Sequence, residues 1–210
     1  MLRLDNLTFG WPDGIAHCLS LTIERGEIQT LSGPSGIGKS TLLSVLSGFL
    51  DPIGGTVSFE GRDITPLPPW VRPVCTLFQD HNLFEHLTLA QNLRLSLINA
   101  QKARTAEPQK ALISKSLAEV GLAGLEARYP HEISGGQYQR AALARTLLMD
   151  RPVLLLDEPF AALDIERREE ACALLKTLTK SRSLCVLVVT HDPLDAGRLG
   201  AQNITLSDPN

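Results

Sequence analysis

The sequence has no excess of positive charge, which bears on the partners it could bind. Its 210 residues include 20 Lys and Arg against 23 Asp and Glu, for a formal net charge of −3. A protein that holds nucleic acid mainly by neutralising phosphates carries a basic excess instead. The charge balance therefore argues against nucleic acid as a partner.

Long apolar runs are also absent. The longest stretches without Asp, Glu, Lys or Arg span 11 residues each, at 28–38 and 40–50, whereas a membrane-spanning helix needs about 18. Arg3 and Asp5 lie where an export signal would need apolar residues. We therefore predict that the chain neither spans a membrane nor is exported.

Cysteine is scarce and scattered, with Cys18, Cys75, Cys172 and Cys185 forming no C-x-x-C pair. Zinc sites built on cysteine need closer spacing, so we expect reduced thiols and no metal bound by cysteine.

Most histidines also lack a sequence context that suggests ligation. We expect these at the surface or in loops: His17, His81, His86 and His131.

Short apolar segments predict two kinds of strand. Roughly the first 30 residues alternate loosely between apolar and polar side chains, which is typical of antiparallel strands. Three mostly apolar runs, at 28–32, 153–156 and 184–189, suit parallel strands that are buried on both faces. The chain therefore combines an antiparallel N-terminal edge with a parallel sheet.

Helices are predicted between the strands from the spacing of apolar residues and from helix-stop signals. They cover 39–49, 88–121 with a break near Glu107-Pro108, 134–149 and 165–180, while four prolines in 65–73 predict a loop. Alternating strands and helices indicate an α/β core, with a helical insertion at about 88–150. We expect 1–210 to form a single domain.

A glycine-rich segment joins the strand at 28–32 to the helix at 39–49. It matches the P-loop pattern G-x-x-x-x-G-K-[ST] through Gly33, Pro34, Ser35, Gly36, Ile37, Gly38, Lys39, Ser40 and Thr41. Glycines let backbone N–H groups point at phosphate oxygens, and the following helix adds its positive dipole end. Lys39 would then contact the β- and γ-phosphates, and the Ser40 hydroxyl would bind Mg²⁺.

Two other segments carry groups suited to phosphate chemistry. Asp157 and Glu158 end an apolar strand, so Asp157 could hold Mg²⁺ while Glu158 polarises an attacking water. A strand-ending acid can also merely cap a helix. Ser134, followed by Gly135 and Gly136, looks like a helix N-cap with N–H groups open to an anion. Taken alone, this segment is equally consistent with an ordinary helix start.

The order of these motifs resembles the nucleotide-binding subunit of ABC transporters. The segments that carry the resemblance are, in order, the P-loop, Phe78-Gln79, Ser134-Gly135-Gly136-Gln137, Asp157-Glu158, Leu163-Asp164 and Thr190-His191-Asp192. The resemblance implies an α/β fold with a RecA-like P-loop NTPase core, an N-terminal antiparallel β subdomain and an inserted helical subdomain. It also implies that two copies of the chain enclose two ATP molecules head to tail.

Several roles follow from the resemblance for residues at the dimer interface. The signature residues Ser134, Gly135, Gly136 and Gln137 of one copy would contact the γ-phosphate that the P-loop of the other copy holds. Asp164 would lie at the dimer seam. Each ATP site would therefore be built from both copies.

Other roles implied by the resemblance lie within one copy. Gln79 would contact Mg²⁺ and the attacking water. His191 would hold the γ-phosphate and align this water with Glu158. Trp11 would stack on adenine, and Phe9 is a rival for that role because only two positions separate them.

Residues 77–88 and Glu158-Pro159-Phe160 are similar to the importer branch of the family, and in detail to ATPase subunits of thiamine importers. This implies a peripheral subunit at the cytoplasmic face of the inner membrane, which works with permease subunits and an extracytoplasmic solute-binding protein. An exporter ATPase and a soluble ABC ATPase remain alternatives. The 55 positions that separate Gln79 from Ser134 are too few for the long coiled-coil insertion of some soluble members.

Overall fold

Strands and helices alternate along most of the chain. The computed structural model describes residues 1–10, 16–79, 82–97, 106–161 and 163–207. Its strands are β1 (Leu2–Gly10), β2 (Ala16–Ile23), β3 (Glu27–Ser32), β4 (Gly54–Phe59), β5 (Arg62–Asp63), β6 (Val74–Leu77), β7 (Val153–Asp157), β8 (Cys185–Val189) and β9 (Gln202–Thr205). Its α-helices are α1 (Lys39–Ser47), α2 (Leu89–Leu95), α3 (Ala106–Glu119), α4 (Gly135–Leu147), α5 (Ile165–Ser181) and α6 (Leu194–Leu199). Within those ranges, none of the helices is long and apolar enough to traverse a bilayer.

The N-terminal strands form an antiparallel sheet in the order β2-β1-β4-β5. In β1, Leu2 and Leu4 are buried, and so are Leu7 and Phe9. The buried side chains change from even-numbered to odd-numbered positions at a register shift between Leu4 and Leu7. Asn6, within this shift, has a φ of +45°. An extra residue of this kind lets a strand keep its apolar side chains on one face. The predicted antiparallel edge is confirmed.

The remaining strands form a parallel sheet in the order β6-β7-β8-β3-β9. Every residue of β7 and β8 is buried, which is typical of strands covered on both faces. Strand β3 pairs with β8 and β9, so the strand that leads into the P-loop is also central. The three predicted parallel strands are thus confirmed.

Alternate side chains of the parallel sheet enter two separate cores. Leu154 and Leu156 of β7 pack in a cluster with α2, α3, α4 and α5. Val153 and Leu155 pack on the other side, with α1 and the antiparallel sheet. The parallel sheet is therefore the middle layer, with α1 and the antiparallel sheet on one face and helices α2 to α5 on the other.

Helix ends agree with the capping signals in the sequence. Helix α1 begins at Lys39 and ends before Gly48, whose φ of +82° is left-handed. Ser134 caps α4 and Asp164 caps α5, each with a side-chain oxygen that accepts a backbone N–H. These three helix starts and the glycine stop are confirmed.

A helix break near Glu107-Pro108 is confirmed, but it lies just before these two residues. Helix α2 ends at Leu95 and α3 begins at Ala106, so both residues lie in the first turn of α3. Proline is tolerated there because the first N–H groups of a helix have no intrahelical acceptor.

The four cysteines are free thiols, as expected. Cys75, Cys172 and Cys185 are buried, whereas Cys18 is exposed. Burial raises the pKa of Cys75 to about 12 and that of Cys172 to about 11. Since the thiolate is the reactive form, these two side chains act as apolar core groups.

We expect Leu155→Ala to lower the free energy of unfolding by about 2–5 kcal/mol, because it leaves a cavity in the middle layer. Leu155 has 0% exposure, while Leu194 on α6 is 63% exposed. Leu194→Ala is the matched control and should change stability by less than about 0.5 kcal/mol. Urea unfolding measures both variants, and equal effects would contradict the assignment of Leu155 to the core.

Candidate functional site

Four loops meet at the carboxyl edge of the parallel sheet. They follow β3, β6, β7 and β8, which are neighbours in the sheet. In open α/β sheets, ligands bind at this edge. The loops contain the P-loop, Gln79, Asp157-Glu158 and His191, so the topology brings most of the predicted site residues together.

Backbone geometry of the P-loop depends on glycine at two positions. Gly33 has a φ of +155°, and a Cβ there would lie 2.7 Å from the carbonyl oxygen of Leu206. Gly38 caps α1 with a left-handed φ of +105° and provides no side-chain acceptor. The first N–H groups of α1 are therefore left for an anion.

Lys39 places its charge over this loop. Its ammonium donates hydrogen bonds to the carbonyl oxygens of Gly33 at 2.8 Å and Pro34 at 2.9 Å. Two bonds to the backbone fix the cation beside the N-terminus of α1. Such an arrangement can bind a phosphate chain through backbone N–H groups and one cation together.

Ser40 and Asp157 supply a pair of hard oxygen ligands. The Ser40 hydroxyl donates to Asp157 Oδ2 at 3.1 Å. Burial raises the pKa of Asp157, while the bond from Ser40 opposes this shift and the Glu158 charge adds to it. A divalent cation would instead favour the ionised carboxylate.

These ligands fit Mg²⁺ bound together with a nucleotide. Within the ranges that the structure describes, no cluster of three or more His, Cys, Asp or Glu could hold a metal alone. Mg²⁺ is commonly held by one or two protein oxygens, phosphate oxygens and water. A hydroxyl and a carboxylate beside a phosphate-binding loop match that requirement.

Glu158 and His191 form a direct pair. Glu158 Oε2 lies 2.7 Å from His191 Nδ1, and the backbone N–H of Glu158 donates to the Val189 carbonyl oxygen at 2.9 Å. Glu158 has a φ of +49°, a left-handed conformation that is costly for a residue with a side chain. Such strain is concentrated at functional sites, and here it aims the carboxylate at the histidine.

Gln79 is exposed two residues after β6. Leu77, the last residue of β6, pairs with Leu156 of β7. Gln79 and Asp157 therefore follow neighbouring strands that end at the same level. This places Gln79 at the same edge of the sheet as the predicted metal ligands.

The residues 134–137 and Asp164 lie on a second surface of the same copy. Ser134 and Gln137 form a reciprocal capping box, and a Cβ at Gly136 would be 3.4 Å from Arg167 Cδ. Asp164 is exposed and pairs with Arg167 at 3.5 Å. Among the described residues, no hydrogen bond or ion pair joins the side chains of Ser134, Gln137 or Asp164 to residues 33–41.

Known proteins share this arrangement of motifs and layers. Residues 16–161 of the chain match the family model described as ABC transporter. The chain belongs to the ABC transporter family. It is 45% identical over 199 residues to the thiamine import ATP-binding protein ThiQ of Chelativorans sp., covering 95% of this chain and 80% of that protein. The protein of that name from Escherichia coli is 43% identical over 208 residues, covering 99% and 88%.

Solved ABC cassettes have the same fold. A dimeric bacterial ABC transporter cassette has a TM-score of 0.82 at 31% identity, covering 98% of this chain and 94% of that one. A dimeric post-hydrolysis cassette bound to ADP and Pi has a TM-score of 0.83 at 30% identity, covering 99% and 95%. This chain therefore has the α/β P-loop NTPase fold and is an ATP-binding, ATP-hydrolysing ABC subunit.

The two candidates for stacking on adenine are Phe9, near the end of β1, and Trp11, which follows β1 in the sequence. Phe9 has 0% exposure and packs on His17 with ring centroids 5.6 Å apart, so its ring belongs to the core. Trp11 lies outside the described residues, and its stacking on adenine stays a prediction.

His17 is buried, which contradicts the expected surface position. It pairs with Phe9 across β1 and β2, and a Cβ added to Gly38 would lie 3.5 Å from its ring. The His17 ring therefore lies against the P-loop and is shielded from solvent. His86 and His131 are exposed as expected, and His81 lies outside the described residues.

Arg72 was not identified from the sequence, although it supports the P-loop helix. The residue is 1% exposed, and its guanidinium donates to the carbonyl oxygens of Val45 and Leu46 at the end of α1. A cation there complements the negative end of the helix dipole. An arginine inside a proline-rich apolar loop, at 65–73, was the only available signal.

We expect Lys39→Ala to lose ATP binding and turnover together. Hydrogen bonds to charged groups contribute about 1.5–3 kcal/mol each, and Lys39 is the P-loop cation. Lys180→Ala, which removes an exposed lysine at the end of α5, is the control. Calorimetric ATP titration measures both variants, and unchanged affinity in Lys39→Ala would contradict the P-loop assignment.

Proposed function

We propose that this ABC subunit hydrolyses ATP in composite sites formed by two copies of the chain, and that hydrolysis powers thiamine import through a separate permease. The observation that carries the hydrolytic assignment is the 2.7 Å contact between Glu158 and His191. It lies at the sheet edge that also holds Lys39 and Asp157.

The composite site is supported by the separation of its two halves within one copy. The P-loop follows β3, whereas Ser134 caps α4, whose Gly136 lies close to Arg167 near the start of α5. A second copy, turned head to tail, would bring its Ser134 and Asp164 to this P-loop. The dimeric cassettes among the structural relatives support such pairing. We assign 1–210 to one ABC ATP-binding domain, whose helical subdomain at about 88–150 includes α2, α3 and α4.

Hydrolysis is proposed to proceed by attack of water on the γ-phosphorus. The bond from the γ-phosphorus to the bridging oxygen breaks, and the water proton passes to the Glu158 carboxylate. His191 Nδ1 orients that carboxylate, and Lys39 offsets charge on the phosphates. Mg²⁺, held by Ser40, Asp157 and Gln79, would add positive charge at the phosphate oxygens.

An exposed apolar face beside Gln79 is proposed to receive the permease. Phe49 and Phe78 are exposed, with ring centroids 6.3 Å apart, and Phe78 directly precedes Gln79. Ile53 and Phe84, near these two residues in the sequence, are exposed as well. Exposed apolar patches of this kind mark interaction sites. A helix bound here would contact the segment that carries a predicted metal and water ligand.

Thiamine is proposed as the solute because relatives at 43–45% identity are named thiamine import ATP-binding proteins. The chain would then act at the cytoplasmic face of the inner membrane, bound through permease subunits. An extracytoplasmic solute-binding protein would deliver thiamine to the permease. No nucleic acid partner is proposed.

We predict that Glu158→Gln separates ATP binding from hydrolysis. The substitution removes the general base, which typically costs about 10²- to 10⁴-fold in rate, but leaves Lys39, Ser40 and Asp157 intact. ATP should then hold two copies together, because it binds the closed dimer better than the monomer and is not consumed. Size-exclusion chromatography should show a dimer with ATP and none with ADP, together with little phosphate release.

The control for this prediction is Glu24→Gln, which alters an exposed glutamate at the opposite end of the sheet. It should retain the wild-type rate. A wild-type rate in Glu158→Gln would remove Glu158 from the mechanism. A variant that binds ATP yet stays monomeric at high protein concentration would contradict the composite site.

Deletion of the gene that encodes this chain is expected to abolish ATP-dependent uptake of labelled thiamine by the host cells. Restoring the chain should restore uptake, while restoring Lys39→Ala should not, because this variant lacks the P-loop cation. Uptake of an unrelated solute serves as the control. Undiminished thiamine uptake in the deletion strain would contradict the proposed solute but not the ATPase activity.

A further inference from the structure

One arginine contacts both segments that carry the Glu158–His191 pair. Arg168 lies in the first turn of α5, and its Nη2 donates to the Phe160 carbonyl oxygen at 2.9 Å, two residues after Glu158. Its Nη1 donates to the carboxylate of Asp192, directly after His191. The Arg168 side chain is only 13% exposed, so water competes weakly for these bonds.

The segment 190–195 is held by further buried contacts. Asp195 is 1% exposed and accepts a hydrogen bond from Thr190 Oγ1 at 2.6 Å. Arg198 donates to both Asp192 and Asp195 at 3.1 Å, and Arg168 Nη1 lies 3.7 Å from Asp195 Oδ1. Two arginines thus face two aspartates, and loss of either arginine leaves carboxylate charge uncompensated.

Arg168 differs from Arg198 in what it connects. Both arginines contact the two aspartates, but Arg168 also bonds the turn after Glu158 through Phe160. Arg168 is therefore a bridge between the two halves of the hydrolytic pair, whereas the side-chain bonds of Arg198 stay within 192–198.

We infer that Arg168 is a positioning residue for ATP hydrolysis. It holds the segment 190–195 against the turn after Glu158 and so keeps His191 Nδ1 in contact with the Glu158 carboxylate. This inference rests on the proposed roles of Glu158 and His191. In the described part of the chain Arg168 bonds to no P-loop residue, so it acts on turnover and not on ATP affinity.

The position of Arg168 also connects this bridge to the proposed dimer seam. Asp164 caps the same helical turn, and its carbonyl oxygen accepts the backbone N–H of Arg168 at 2.9 Å. A movement of Asp164 on dimer closure would therefore move the guanidinium together with the 190–195 segment.

The test is a double-mutant cycle of Arg168→Gln and His191→Ala in the full chain. Arg168→Gln should lower kcat between about tenfold and about 100-fold, the size expected when a catalytic pair is misplaced by up to 1 Å, with an unchanged Kd for ATP. In the His191→Ala background, Arg168→Gln should have little further effect on the residual rate, because residues that act through one another are not additive. Residual rates are measured at high enzyme concentration.

Arg182→Gln is the matched control for loss of a partly buried guanidinium. Arg182 also bonds one carboxylate, that of Glu119, and one backbone carbonyl oxygen, that of Leu147 at 3.2 Å, but it lies at the opposite end of the sheet, beside β8. It should lower stability in urea without changing kcat. If Arg168→Gln does not fold, Arg168→Lys takes its place in the same cycle. Lysine keeps the positive charge, but its single ammonium is a poor substitute for a guanidinium that contacts both Phe160 and Asp192.

Two results would overturn the inference while leaving the proposed function intact. The first is a wild-type kcat in Arg168→Gln when His191→Ala is impaired. The second is a loss of kcat in the double variant equal to the product of the losses in the two single variants. That result would show that Arg168 acts independently of His191. A wild-type kcat in His191→Ala would instead contradict the proposed role of His191 itself.

Discussion

The pairing of β7 with β8 is the constraint on which the site depends. Asp157 is in register with Val189, and the Glu158 N–H extends this pairing by donating to the Val189 carbonyl oxygen at 2.9 Å. Glu158 and His191 therefore follow strands that end at the same level. A slip of two residues between the strands would move their side chains apart by about 7 Å, far beyond the 2.7 Å contact that they make.

Burial of these strands also offsets the strain at the site. The left-handed conformation of Glu158 costs on the order of 1–3 kcal/mol, whereas burying one leucine or valine side chain contributes about 1.5–3 kcal/mol. Leu154, Leu155 and Val188 are all fully buried beside the site. A strained carboxylate can thus be held on the rigid edge of a sheet that is buried on both faces.

Buried arginines connect the sheet edge to the helices around it. Arg72 satisfies carbonyl oxygens at the end of α1, the helix that begins at the P-loop. Arg168 joins α5 to the segments after β7 and β8. In both cases the planar guanidinium holds its donors in a rigid fork that reaches acceptors on separate segments, a geometry that the single ammonium of a lysine does not reproduce. The ends of the helices are therefore tied to the loops that carry the ATP-binding and hydrolytic groups.

Local sequence was sufficient for features that depend on neighbours along the chain. The P-loop glycines, the cap at Ser134, and the apolar runs of β7 and β8 each indicate their own structure, because φ preference, capping and strand burial act over a few residues. The order of the motifs was likewise enough to indicate the family. The predicted break near Glu107-Pro108 was placed slightly too far along the chain, because proline is compatible with both a helix start and a helix end.

Only the tertiary structure decided which side chains meet across the sheet. The burial of His17 follows from its pairing with Phe9 on a neighbouring strand, and the bridge by Arg168 spans residues from 160 to 195. Such contacts depend on strand order and register, which no local pattern encodes. The sequence alone therefore determined the chemical groups of the site, and the parallel pairing of distant strands determined which of them act together.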